Sequence, residues 1–367
     1  MKIVVFGLAV SSSWGNGHAT LWRGLIAALA RRHCHTVFFE HDRPYYAAAR
    51  DIDALSGGEL VIYEDWETIT ARARREVRDA DAVIVTSYCP DARVATRLLE
   101  NAGRPLRVFY DLDTPVTLAT LREGGHVDYI GPEGLRSFDL VLSYTGGAAL
   151  EELMARLGAR RVAPLWGHVD PDVHYPVAPT EHFRADLSYI GTYAEDRQQA
   201  LQTLLVTAAR QRPTARFLIA GAQYPKTFPW AQNIWFAHHV MPTQHPAFFA
   251  SSRLTLNVTR RSMAEMGWCP SGRLFEAAAC GAAILSDNWP GLRDFFVPDR
   301  ELLLARSTTD VLAALDRSDQ ELRAIGAAAR ARVMAEHTSD HRAGELLALL
   351  EDVRRVPTAS PPAGLEV

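Results

Sequence analysis

Arg260, Arg261 and Arg273 bracket a segment, Pro270-Ser271-Gly272-Arg273-Leu274-Phe275-Glu276, that reads as a basic loop feeding a helix beginning near Pro270. A helix N-terminus leaves N–H groups unpaired and carries partial positive charge, so it attracts an anion such as a diphosphate. Arginine adds a fork matched to phosphate oxygens, which a diphosphate leaving group needs where no metal assists it. Glu276 falls about one helical turn beyond Ser271 and Gly272, where a carboxylate can accept hydrogen bonds from a ribose. The combination predicts a nucleoside diphosphate held without a metal.

A second chemistry-bearing stretch, Ser11-Ser12-Ser13-Trp14-Gly15-Asn16-Gly17-His18, follows the first apolar run and precedes a helical pattern. Gly15 and Gly17 let backbone approach a ligand, yet the spacing is not the Gly-x-Gly-x-x-Gly of a dinucleotide site. His18 is suited to deprotonating a hydroxyl, histidine being the side-chain type whose charge changes nearest neutrality. Its alternative is a histidine packed in the first helical turn, four residues before Trp22. Asp111 and Asp113 flank Leu112 at a predicted strand end. Such a pair could share a divalent ion, but Thr114-Pro115 signals a helix start and breaks the extension that keeps alternate residues on one face. Asp113 is therefore read as an acceptor-side residue or second candidate base, with a helix cap as its alternative. His238, His239 and His245 fit no tight zinc motif, and no metal is expected. Asp287, just past another predicted strand, either contacts the sugar or turns the chain.

These groups need elements to position them, and the chain alternates apolar runs with helical patterns throughout. Strands are predicted at 3–8, 36–40, 60–63, 82–86, 107–110, 140–143 and 162–165, and again at 187–190, 216–220, 233–236, 254–258 and 283–286. Helices are expected over 196–210, 320–336 and 340–354. Strands alternating with helices of this length imply parallel, doubly wound α/β sheets, with ligands beyond the strands' carboxyl ends. A proline-rich stretch at 166–179 separates two such series. The expected division is residues 1–170, 171–338, a closing helix over 339–355, and a disordered tail over 356–367.

At 367 residues, two domains are the sensible expectation. A net charge of −4 leaves no whole-molecule footprint for nucleic acid or an anionic membrane. Cys34, Cys89, Cys269 and Cys280 lack metal-ligand spacing and do not form a small disulfide framework, which points to a reduced, cytoplasmic setting. No apolar run reaches transmembrane length.

The segment Pro270, Ser271, Phe275, Glu276, Ala277, Ala279, Cys280, Gly281 resembles the donor-binding phrase of GT-B glycosyltransferases. Within that fold the chain is similar to the CgeB-like enzymes, through Ser-Trp-Gly-Asn-Gly-His at 13–18, Tyr-Asp-Leu-Asp-Thr-Pro at 110–115 and Tyr-Ile-Gly-Thr-Tyr-Ala-Glu-Asp-Arg at 189–197. The resemblance implies two Rossmann-like domains facing across a cleft, with the last helix packing back on the first. It implies a nucleotide-sugar donor in the second domain, its ribose on Glu276. Gly191 and Thr192 would face the diphosphate, where Arg197 either adds charge or is a solvated helical arginine, the commoner role for an isolated residue, and His239 would lie where relatives contact the nucleobase. His18 would sit where many inverting relatives place their base. Many retaining enzymes of this fold carry two glutamates separated by seven residues; counting back from Glu276 lands on Trp268, so the sugar pocket departs from that pattern.

The reading is a metal-independent glycosyltransferase acting on a small-molecule, glycan or protein acceptor. A non-hydrolysing nucleotide-sugar epimerase and a non-catalytic nucleotide- or sugar-binding protein are the alternatives.

Overall fold

A parallel strand buried on both faces must be apolar almost without interruption, and Ile3, Val4, Val5 and Phe6 show this, each fully inaccessible to solvent. In the computed structural model, which describes residues 1–355, they form β1 (Lys2–Gly7). β2 (His35–His41), β3 (Gly58–Tyr63), β4 (Ala82–Thr86), β5 (Leu106–Asp111), β6 (Leu140–Ser143) and β7 (Val162–Pro164) complete a seven-stranded sheet in the order β3-β2-β1-β4-β5-β6-β7. A second sheet contains β8 (Ala185–Ile190), β9 (Phe217–Gly221), β10 (Ile234–His238), β11 (Ser252–Asn257), β12 (Ile284–Ser286) and β13 (Leu303–Leu304), in the order β10-β9-β8-β11-β12-β13. All pairings in both sheets are parallel. Each sheet carries an apolar core on both faces, which is the doubly wound arrangement.

Strand order decides where ligands can bind. In the first sheet the chain winds outward through β2 and β3, then returns to the other side of β1 with β4. The second sheet repeats this about β8, with β9 and β10 on one side and β11 on the other. The crevices at these reversals open beyond the carboxyl ends of β1 and β4, and of β8 and β11. Residues 11–18, Tyr88, Gly191-Thr192 and Thr259 follow those four strands directly.

Two connections join the halves. Between β7 and β8 the chain makes no regular element until a short turn at Glu181–Phe183, and here Val169 bridges Thr338. Ser339 Oγ donates to the Val169 carbonyl at 3.1 Å and pairs with His168 Nδ1 at 2.9 Å, so outgoing and returning chains are fastened together. The helix Ser339–Arg355 then crosses back, and Ala343, Leu346, Leu350 and Val353 enter the first sheet's core with Leu25, Ile26 and Leu29. Asp340 near its start accepts from Arg31 and Arg32.

Two local features differ from the expectations. β13 has only two residues, too short to show a period. The helix expected from Pro270 starts at Gly272, because Ser271 keeps an extended backbone (φ −63°, ψ 138°) as its cap residue. The expected tail at 356–367 lies outside the described residues. All four cysteines are free and buried, and no described helix is long and apolar enough to cross a membrane.

Leu346 is fully buried in the joint between the crossing helix and the first sheet. Leu346→Ala should lower unfolding free energy by about 2–5 kcal/mol, read from denaturant melts against the wild type.

Candidate functional site

The two crevices face one another across a cleft of about 520 Å³. Gly15, Gly17, His18 and Asp113 line it from the first sheet. Gly191, Thr192, Arg197, His239, Arg260, Ser271, Gly272, Arg273 and Glu276 line it from the second. Arg261 and Asp287 are not among its lining residues.

The first loop is held from below. Buried Glu40 accepts hydrogen bonds from the Val10 and Ser11 amides and the Ser11 hydroxyl, and Asp51 ties Ser13 to Arg23. Gly15 adopts φ +60°, and a Cβ there would lie 2.9 Å from the Tyr45 hydroxyl, so the turn requires glycine. Asn16 caps the helix Gly17–Arg31 by accepting from the His18 amide at 3.1 Å. His18 Nε2 then lies 3.7 Å from Asp113 Oδ2, both side chains about one-fifth exposed. Asp113 occupies the cap position of the helix Thr114–Arg122 but makes no capping bond; its carboxylate faces His18 instead. A hydroxyl oxygen can approach both groups across that gap, the geometry a general base requires.

Sequence reasoning missed one neighbour of this pair, Tyr88, and the isolation of another, Asp111. Tyr88 lies just past β4 with φ +61°, a left-handed backbone uncommon for an aromatic residue, and its ring stacks near His18 at 6.2 Å between centroids. Burial, with Asp113 and Tyr129 nearby, raises its phenol above the ordinary value, so it stays protonated beside Asp113. Asp111 is fully buried, and burial pushes its carboxyl up to about 6. Thr117 Oγ1 and the Asp113 amide serve its Oδ1, while Oδ2 has no partner. The strand position of Asp111 was legible in sequence; its isolation was not.

The opposite wall is electropositive. Arg273 lies over the Tyr189 ring at 5.0 Å and donates to Asn257 Oδ1 at 3.2 Å. Arg197 donates to the Tyr189 hydroxyl at 3.0 Å and to the Thr192 carbonyl at 3.3 Å, while its Nε is buried without a partner. Neither arginine forms an ion pair among the described residues. Burial works to raise the Tyr189 phenol, but Arg197 and Arg273 outweigh it and hold the group below its ordinary value. Burial also lowers Arg273 itself, with Arg197 adding to the effect against nearby Tyr189 and Glu276. Gly191 permits this packing, since a Cβ there would come within 2.6 Å of the Arg273 guanidinium. Beside them begins the helix Gly272–Ala279, whose cap residue Ser271 supplies no side-chain bond, leaving its first amides directed at the cleft.

The remaining predicted residues divide. Arg260 is half-neutralised by Asp196 at 3.1 Å. Arg261, though adjacent, begins the helix Arg261–Met266 and its side chain is exposed, so it does not join the other arginines. Asp287 accepts from the Thr259 amide and hydroxyl at 3.0 Å each; it holds the loop after β11 and does not face the cleft. His239 has φ +52°, donates its amide to the Gly221 carbonyl and packs its ring 4.5 Å from Trp14 of the first loop, so the halves touch there. Glu276 pairs with neither Arg273 nor Arg260; it faces His174 and His245, each at 3.9 Å. Trp268, at the position of the missing glutamate, has φ +43° and donates its indole N–H to Asp294. It does not line the cleft.

Asp111 yields a signed pH dependence. Its folded value lies above the ordinary carboxylate value, so the folded protein keeps the proton where the unfolded chain has lost it. Its contribution is full below about pH 4 and is lost as pH rises through about 6, on the order of 3 kcal/mol. Asp111→Asn should therefore gain stability relative to wild type between those values, read by denaturant titration at each pH. Parallel profiles would contradict the assignment.

Comparisons with known proteins agree with this geometry. Residues 197–348 match the family model described as "Glycosyl transferase-like". No curated protein sequence matches the chain. Among solved structures, sucrose-phosphate synthase from Thermosynechococcus elongatus superimposes with a TM-score of 0.69 at 14% identity, over 97% of this chain and 99% of that one. HepE from Anabaena, in complex with UDP and glucose, gives 0.65 at 14% identity, over 96% and 100%. An α-glucosyltransferase, in complex with UDP and a DNA oligomer, gives 0.68 at 13% identity, over 96% and 99%. The chain thus has the GT-B fold and carries within it, at residues 197–348, a glycosyl transferase-like segment, the build of an enzyme that transfers sugars.

Proposed function

We propose that this protein is a CgeB-like glycosyltransferase that moves a sugar from a nucleoside diphosphate donor to an acceptor hydroxyl. The observation that carries the reading is one cleft joining two unlike walls. Arg197 and Arg273, without ion-pair partners, meet an uncapped helix N-terminus on one wall, and the His18–Asp113 pair stands on the other. The diphosphate binds the arginines and the free helix amides, with no metal needed at the phosphates. The ribose reaches Glu276, and the nucleobase lies towards His239.

His18 takes the acceptor proton while the acceptor oxygen bonds to the anomeric carbon. As the bond from that carbon to the diphosphate oxygen breaks, the arginines receive the charge left on the phosphates. Asp113 faces the imidazole and stabilises it once protonated. A small molecule, glycan or protein fits the net charge of −4 better than a nucleic acid, and the four free cysteines suit a cytoplasmic setting. An epimerase on the same fold would use the same donor wall without needing an acceptor; consumption of donor only when acceptor is present separates the two.

Nucleoside diphosphates at about a hundred times their dissociation constant should stabilise the protein by roughly 2.7 kcal/mol in chelator, while nucleosides should not. Arg273→Gln should weaken that binding by about tenfold or more, because it removes a charge-assisted contact worth roughly 1.5–3 kcal/mol. Unchanged melting with uridine, thymidine, guanosine and adenosine diphosphates alike would sink the donor assignment.

His18→Ala should leave nucleotide affinity nearly intact while transfer falls by about two to four orders of magnitude. Full turnover in that variant would return His18 to a packing role.

A further inference from the structure

Glu276 does not stand alone at its end of the cleft. His174 Nε2 lies 3.9 Å from Oε1 and His245 Nδ1 lies 3.9 Å from Oε2, while the two ring nitrogens are 3.3 Å apart. The three residues come from separate places. His174 sits in the connection between the sheets, its amide bonded to the Asp170 carbonyl at 2.9 Å. His245 opens the helix His245–Ala250, and Glu276 belongs to the helix Gly272–Ala279. One ligand atom from each falls within 4.8 Å of the others. A tetrahedral ion with bonds of about 2.0–2.1 Å spaces its ligand atoms about 3.3–3.4 Å apart; the two ring nitrogens already stand at 3.3 Å, and the Glu276 carboxylate must move in to bring one oxygen onto both.

The hydrogen bonding behind the trio points the same way. His245 Nε2 lies 3.3 Å from the Val240 carbonyl oxygen, so that nitrogen carries the proton and Nδ1 presents its lone pair to His174 and Glu276. A carbonyl behind the far ring nitrogen is the usual support of a metal-bound imidazole. Without an ion the trio is poorly satisfied. The His245 lone pair and Glu276 Oε1 both face His174 Nε2, which offers one proton at most, and Glu276 Oε2 meets the same unprotonated His245 Nδ1 at 3.9 Å.

We propose that His174, His245 and Glu276 form a binding site for one divalent cation of the zinc class at the edge of the cleft. Two imidazoles and one carboxylate suit Zn²⁺ or Co²⁺; Mg²⁺ and Ca²⁺ take more oxygen ligands. His245 and Glu276 both line the cleft, so the fourth position faces it and takes a water or a hydroxyl of bound donor. This deepens the placing of Glu276 beside the ribose, and rests on that reading only for what fills the fourth position.

The test uses the full chain, stripped with chelator and titrated with Co²⁺ in the absence of nucleotide. One equivalent should bind with the visible bands of a tetrahedral complex, and Zn²⁺ should displace it. His245→Gln and Glu276→Gln should each weaken binding at least about tenfold, as loss of a ligand requires, with His182→Gln at an exposed histidine unchanged. Wild-type melting curves for each variant show that the fold is intact. No stoichiometric cobalt band, or bands unmoved by both ligand substitutions, overturns the proposal and leaves a hydrogen-bonded histidine pair. Nucleotide binding in chelator with no cobalt band defeats the cation site alone. A cobalt band with no nucleotide binding supports the site and defeats the transferase reading.

Discussion

Two guanidinium groups with no carboxylate to neutralise them govern the architecture of the cleft. Arg197 and Arg273 share one tyrosine, Tyr189, and each meets only neutral oxygens and its ring. Burying two like charges together is costly, and neither guanidinium is ion-paired among the described residues, Asp196 and Glu276 acting only from beyond bonding distance. The cost is tolerated where a ligand brings the missing charge. The field is strong enough that a buried phenol, which burial alone would make harder to ionise, is drawn below its ordinary value. The first amides of the helix Gly272–Ala279 add their partial charges at the same spot.

The rest of the fold brings a second wall to face that charge. Strand order places the loops after β1 and β4 at one crevice and those after β8 and β11 at another, and the two open toward each other. Their relative position depends on the paired connections at Val169 and Thr338 and on the helix Ser339–Arg355 that locks into the first core. Trp14 against His239, and Tyr45 hydrogen-bonded to Gln223, bring the halves together at the cleft's rim. These last contacts are few and partly exposed, so opening at that rim disturbs little buried surface, whereas the hinge side carries buried apolar packing.

Much of this was legible in sequence, for physical reasons that also show where legibility stops. Buried parallel strands must be continuous apolar runs, so both sheets could be read, apart from a two-residue β13 that has no period. His18, Asp113, Arg273 and Glu276 could be placed at the cleft because each follows a strand or opens a helix, where side chains meet the ligand face. Arg260 and Arg261 could not be told apart, since one turn of backbone sends one toward Asp196 and the next into solvent. Asp287 sat at the right end of the right strand, but its oxygens are taken by Thr259. Tyr88 depends on a left-handed backbone that no residue type announces. His174 lies in a proline-rich connection and meets His245 and Glu276 only through tertiary folding, which no local spacing can reveal.

Trp268 shows how a substitution at one position reshapes the demand on the others. In the retaining enzymes that the chain resembles, the glutamate at this position faces the sugar. The tryptophan instead turns away through a left-handed backbone, tucks its ring beside Gly147 and Gly291, and gives its N–H to Asp294. Gly147 and Gly291 could not be replaced without a clash, since a Cβ at either would come within 2.7 Å of the indole. The tryptophan therefore serves the hinge, and no carboxylate from that segment lines the cleft, Glu265 being exposed. Among the cleft residues described, acidic groups remain at Asp113 on the first wall and Glu276 on the second. With Glu276 set against two histidines, the carboxylate left on the first wall is Asp113, and it is the one that faces His18.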